Sequence, residues 1–86
     1  MKVLYFMADW CVPCKRFLPE VKAVCRELGI PLTTYDVNTD MDATSKYNVK
    51  SVPTLIVFDG DETRFRASSI ISRQQLINEL QRNGGN

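Results

Sequence analysis

Residues 3–14 read Val3-Leu4-Tyr5-Phe6-Met7-Ala8-Asp9-Trp10-Cys11-Val12-Pro13-Cys14. The first five form a short, continuous apolar run of strand formers. That is the pattern of a strand buried on both faces, in the middle of a sheet. Ala8-Asp9-Trp10 reads as a loop. From Cys11 onward the period changes. Phe17, Val21, Val24 and Leu28 recur at helical spacing and make one apolar face. Gly29 is the expected stop, with Pro31 just beyond it. Pro19 falls inside this helix and is expected to kink it, because its ring displaces a backbone hydrogen bond. Leu32–Val37 reads as a second strand, so residues 3–37 form a βαβ unit with parallel strands and a right-handed crossover.

The rest of the chain adds an antiparallel half. Asp40–Tyr47 is a weak short helix, and Thr54-Leu55-Ile56-Val57-Phe58 is a strong strand. Asp59-Gly60-Asp61 is a turn. Thr63–Ala67 alternates in polarity and reads as a return strand at a solvent-facing edge. Ser72, with Gln75 three residues on, carries a capping-box pattern, and Leu76, Ile77 and Leu80 give the helix that follows an apolar face. The order is βαβαββα: an α/β fold with a four-stranded mixed sheet and three helices. One domain is expected over residues 1–83. Asn83-Gly84-Gly85-Asn86 looks frayed, and residues 84–86 are expected to be a flexible tail.

Composition removes several classes of function. The 86 residues are 44% hydrophobic and 24% charged, which argues for a globular domain and against disorder. Eleven basic against ten acidic residues leave a net charge of +1, so there is no electrostatic case for a nucleic-acid partner or an acidic membrane surface. No apolar run approaches the roughly 20 residues that cross a bilayer. Val3–Met7 is too short for a signal-peptide core, so a cytoplasmic location is expected. The chain has no histidine, which excludes Ser-His-Asp and Cys-His catalysis and the commonest nitrogen metal ligand. Three cysteines are too few and too uneven for a disulfide-stapled secreted fold.

Cys11 and Cys14 carry the chemistry. Cys11 falls at a helix N-terminus, where unpaired N–H groups and the positive end of the dipole favour an anion. The thiolate is the reactive form of cysteine, so this position activates Cys11. Cys14 lies one turn further in, close enough to form a disulfide with it, and the pair can exchange that bond with a substrate. Pro13 lacks an N–H where a helix start does not need one. A bare C-x-x-C also fits half a zinc site, but a second ligand pair is absent from the sequence, so no metal and no bound cofactor are expected.

Ala8-Asp9-Trp10-Cys11-Val12-Pro13-Cys14-Lys15 closely resembles the active-site segment of the thioredoxin family. Val52-Pro53-Thr54 resembles that family's cis-proline loop, and Pro19 matches its helix kink. The resemblance covers essentially the whole chain and implies a minimal, glutaredoxin-sized thioredoxin-like fold, without the family's N-terminal strand and helix. It implies that Cys11 is the attacking nucleophile and Cys14 the resolving thiol. Trp10 would shield Cys11 and shape the docking surface, rather than serve as a core-edge aromatic. Pro53 would be cis against the disulfide, rather than an ordinary trans loop proline. The backbone of Val52 would pair with an extended substrate. Trp10, Val12, Pro53 and Ile70 would form a flat apolar docking patch, and Pro13 and Ser69 would also bind substrate, Ser69 by narrowing the groove or offering a hydrogen bond.

Four positions depart from the family's pattern. Its buried aspartate below the second cysteine matches Tyr5, and the accompanying lysine matches Thr34. Asp9, Asp36, water or the Tyr5 hydroxyl are then the candidates to take the Cys14 proton. The glycine between the cysteines is Val12, and the glycine of the docking loop is Ser69, within Ser68-Ser69-Ile70. Cys25 reads as a small buried hydrophobe, with a regulatory or dimer-forming thiol as the alternative. Met1, Met7 and Met41 read as gap fillers. Arg64 and Arg66 read as solvated edge charges.

The function this implies is a monomeric protein dithiol–disulfide oxidoreductase acting as a reductant, with electrons from a thioredoxin reductase or a similar donor. The alternatives are a glutathione-dependent, glutaredoxin-like reductase and a non-catalytic thioredoxin-fold binding subunit.

Overall fold

The computed structural model describes residues 1–84. The elements are β1 (Lys2–Met7), α1 (Val12–Leu28), β2 (Leu32–Asp36), α2 (Met41–Lys46), β3 (Thr54–Asp59), β4 (Glu62–Ala67) and α3 (Arg73–Gly84). The order is the expected βαβαββα. The sheet runs β2-β1-β3-β4, with β1 parallel to β2 and antiparallel to β3, and β3 antiparallel to β4. Helix α3 continues one residue into the expected tail; Gly85 and Asn86 lie outside the described residues.

β1 is central because it is apolar on both faces. Val3 and Tyr5 point to one side, where they join Phe17, Val21 and Val24 of α1 and Leu76 and Leu80 of α3. Leu4 and Phe6 point to the other, where Val49, Ile56 and Phe58 close a smaller core beneath Ala43 and Tyr47. Strand period two thus sends alternate residues into two cores.

The helix ends follow their sequence signals. Gly29 takes φ 67°, its N–H donates to the Arg26 carbonyl, and Ile30 N–H reaches the Cys25 carbonyl at 2.8 Å. These two bonds close α1 in the way only a left-handed residue at this position permits. The Ser72 hydroxyl accepts from Gln75 N–H at 3.1 Å and caps α3. Gly60, at φ 65°, opens the two-residue connection between β3 and β4.

Two expectations need correction. Met41 is 67% exposed at the start of α2 and fills no gap; Met1 and Met7 do pack against the larger core. Arg66 is no free edge charge. Its guanidinium donates to the Tyr47 carbonyl at 2.7 Å and the Asn48 carbonyl at 3.0 Å. Arg64 stays at the exposed edge, where it pairs with Asp59 at 3.1 Å.

Candidate active site

Sheet topology gathers three segments at one end. β1 runs toward this end and leads into Ala8–Cys14. β3 starts here, since Phe6 pairs with Thr54. β4 finishes here, since Leu55 pairs with Ala67. The loop before β3 therefore brings Val52 and Pro53 to the end of the sheet where the cysteines stand. The bend after β4 brings Ser68, Ser69 and Ile70 to the same end.

Cys11 is the N-cap of α1, with φ −91° and ψ 97°, and Val12 and Pro13 follow as its first residues. Pro13 stands where the helix leaves an N–H unused. The Cys11 N–H donates to the Ala8 carbonyl at 3.0 Å, which closes the turn through Asp9 and Trp10. The Cys14 N–H points at the Cys11 sulfur, 3.2 Å away. The two sulfurs are bonded to each other, with Cα atoms 5.3 Å apart, inside the range that a disulfide spans. An amide N–H aimed at this sulfur stabilises it as an anion, as the helix dipole also does.

Burial separates the two cysteines. Cys11 keeps 5% of its surface exposed and Cys14 keeps none, so an incoming sulfur can reach only Cys11. Both pack with Ala8, and Met7, Val37 and Val52 cover them. The Val52–Pro53 bond is cis. The Thr54 hydroxyl donates to the Ser51 carbonyl at 2.7 Å and so closes the loop around that bond. Trp10 and Val12 are exposed, and Ile70 and Ser69 stand exposed on the bend after β4. Pro53 is buried, so the expected apolar patch is corrected: Pro53 does not form part of its exposed surface. A groove of about 280 Å³ runs beside Trp10, lined by Val37, Val49, Lys50, Ser51 and Val52.

The candidates to take the Cys14 proton separate cleanly. Asp9 is exposed on the turn. Asp36 is committed elsewhere, accepting from Asn38 N–H at 2.8 Å. Tyr5 is fully buried, and its hydroxyl donates to the Cys14 carbonyl at 2.8 Å. Burial pushes its pKa from 10.0 up to about 12, so near neutral pH it keeps its proton and is a donor, not a base. Thr34 is exposed on the sheet edge. Cys25 is buried in the larger core, where desolvation pushes its thiol from 9.0 up to about 11. This is the small buried hydrophobe expected, and its sulfur is not presented to partners.

Comparison with known proteins agrees with this geometry. The family model described as Thioredoxin matches residues 1–82. Thioredoxin 1 of Chlorobaculum tepidum is 36% identical over 77 residues, covering 87% of this chain and 76% of that protein. The chloroplastic thioredoxin M4 of Arabidopsis thaliana is 30% identical over 79 residues; the match covers 90% of this chain but only 41% of that longer protein. The solved structure of thioredoxin 1 from Thermosipho africanus superposes with a TM-score of 0.89 at 29% identity, covering 95% of this chain and 92% of that one. With a bonded C-x-x-C pair at the mouth of α1 and a family match over nearly its whole length, the chain belongs to the thioredoxin family of thiol–disulfide oxidoreductases.

Proposed function

We propose that the protein reduces disulfides in other proteins, with Cys11 as nucleophile and Cys14 as resolving thiol. The observation that carries this reading is the asymmetry of the pair: Cys11 keeps a small exposed surface and its sulfur accepts from the Cys14 N–H, while Cys14 is wholly covered. In the reduced protein the Cys11 thiolate attacks a substrate disulfide. A Cys11–substrate bond forms, and the substrate's other sulfur leaves with the electron pair and takes up a proton. Cys14 then attacks the Cys11 sulfur. The Cys11–Cys14 bond forms, the second substrate sulfur leaves as a thiolate, and the Cys14 proton passes to solvent or to that sulfur. Trp10, Val12 and Ile70 offer apolar contact to the substrate, with Pro13 and Ser69 at the edge. The Val52 backbone offers strand-like hydrogen bonds, and the buried Pro53 would lie against the disulfide.

Thioredoxins act on protein disulfides and are reduced by thioredoxin reductase, and the same donor is proposed here. A monomer in the cytoplasm is the setting that suits a reductant of this kind. Insulin reduction with dithiothreitol tests the reading. The native protein is expected to accelerate insulin precipitation, and Cys11→Ser is expected to abolish the acceleration. Equal rates for the two proteins would overturn the assignment. Turnover with glutathione and glutathione reductase is expected to be slow by comparison; fast turnover would favour the glutaredoxin-like alternative.

A further inference from the structure

We propose that Tyr5 is a positioning residue for the redox pair: by holding the Cys14 carbonyl, its hydroxyl aims the Cys14 N–H at the Cys11 sulfur and so tunes the reduction potential. The inference rests on the redox reading above and extends it to a residue whose hydrogen bond goes to the backbone of Cys14.

Residue 14 is held from two sides. Its carbonyl accepts from the Tyr5 hydroxyl at 2.8 Å, and its N–H reaches the Cys11 sulfur at 3.2 Å. The peptide unit that carries this carbonyl ends in the Lys15 N–H, which donates to the Cys11 carbonyl at 3.2 Å. A donor on the carbonyl of an amide polarises it and strengthens the bond that its N–H makes. Tyr5 therefore tightens the opening turn of α1, the turn whose Cys14 N–H faces the Cys11 sulfur. The tyrosine is itself fixed. It sits on the central strand with no exposed surface, and its ring meets Phe17 edge-on with centroids 5.9 Å apart. The hydroxyl stays protonated across the working range, so its donation does not vary with pH there.

The direction of the effect follows from which redox state it favours. A tighter turn stabilises the Cys11 thiolate, which exists only in the reduced protein. Loss of the hydroxyl should therefore make the thiol less acidic and the disulfide harder to reduce.

Tyr5→Phe tests this, since it keeps the ring and removes one oxygen. Two readouts are taken: the pH dependence of Cys11 alkylation, and the equilibrium with a glutathione series. The variant is expected to alkylate about threefold or more slowly at neutral pH, and its equilibrium is expected to shift toward the disulfide by a similar factor. Val57→Ala, a truncation in the same core, lowers stability and should move neither readout. Native-like values for Tyr5→Phe would overturn the proposal, as would equal shifts in Val57→Ala. If Tyr5→Phe does not fold, 3-fluorotyrosine placed at residue 5 supplies a stronger donor. Both readouts should then move the opposite way, and unchanged values would again overturn it. The native protein in the insulin assay reports separately on the proposed reductase activity. A native protein inactive on insulin sinks that reading, while the thiol measurements still decide the role of Tyr5.

Discussion

The guanidinium of Arg66 on β4 grips the Tyr47 carbonyl at 2.7 Å, and its other arm takes the Asn48 carbonyl at 3.0 Å. These carbonyls lie where α2 has just ended, and Asn48 turns the chain with φ 54°. The segment that follows carries Val52 and Pro53. Arg66 thus fastens to the sheet the upstream end of the loop proposed to face the substrate. Arg66→Met keeps the apolar stem and removes both donors. It is expected to cost about 1 kcal/mol of stability, the scale of a partly exposed charged hydrogen bond. It should also raise KM for a protein disulfide more than it lowers kcat. Urea unfolding and insulin kinetics measure the two effects; native values in both would show that the clamp is idle.

Cys14→Ser should stop the reaction halfway. The covered residue can no longer release the substrate, so Cys11 is expected to hold it as a mixed disulfide. Mass spectrometry should find an adduct of one substrate chain that dithiothreitol removes. A variant that still turns over at the native rate would mean that release does not require residue 14.

Alkaline pH should weaken the fold. Cys25 is raised from 9.0 to about 11 and Tyr5 from 10.0 to about 12. In both, the folded state holds its proton more tightly than the unfolded chain does. Their contribution is complete below pH 9 and is lost as pH rises through the folded values. Each can remove up to about 2–3 kcal/mol across that window. Chemical unfolding at a series of pH values should show stability falling from about pH 9. Cys25→Ala should flatten the lower part of that fall.

Leu76 ties α3 to the larger core with no exposed surface. Leu76→Ala should cost about 2–5 kcal/mol, a large share of what a domain this small possesses. A loss under about 1 kcal/mol, read from denaturant midpoints, would mean that α3 contributes little to the core.

What was legible in the sequence was periodic or carried by turn residues. The run Val3–Phe6 announced a doubly buried strand, and Phe17, Val21 and Val24 announced the face of α1. Gly29, Gly60 and Ser72 marked ends and turns by backbone chemistry that few other residues supply. The redox pair was legible because its two members are near neighbours in the chain. The cis bond at Pro53 was legible only through family resemblance, since nothing local to Ser51-Val52-Pro53 demands it. That β1 lies inside the sheet and runs parallel to β2 was legible; that its other neighbour is β3 and not β4 was not, because strand period reports faces and not neighbours. Arg66 was misread for a related reason: the carbonyls it holds lie 19 and 18 positions earlier in the chain. Polar side chains show no period that would reveal such a partner. Tyr5 was read as one possible proton acceptor, yet only its surroundings show it to be a donor.

Three thiols in one chain permit three different pairings. In the folded protein the third, Cys25, is sealed against α1's neighbours and keeps only 2% of its surface. Folding therefore selects the pairing before any oxidant acts, and the native chain can cycle repeatedly without shuffling its bonds. The reverse also holds: a link between Cys25 and either partner records that the molecule has opened. Scrambled isomers, counted after oxidation, are a chemical clock of unfolding built into the protein.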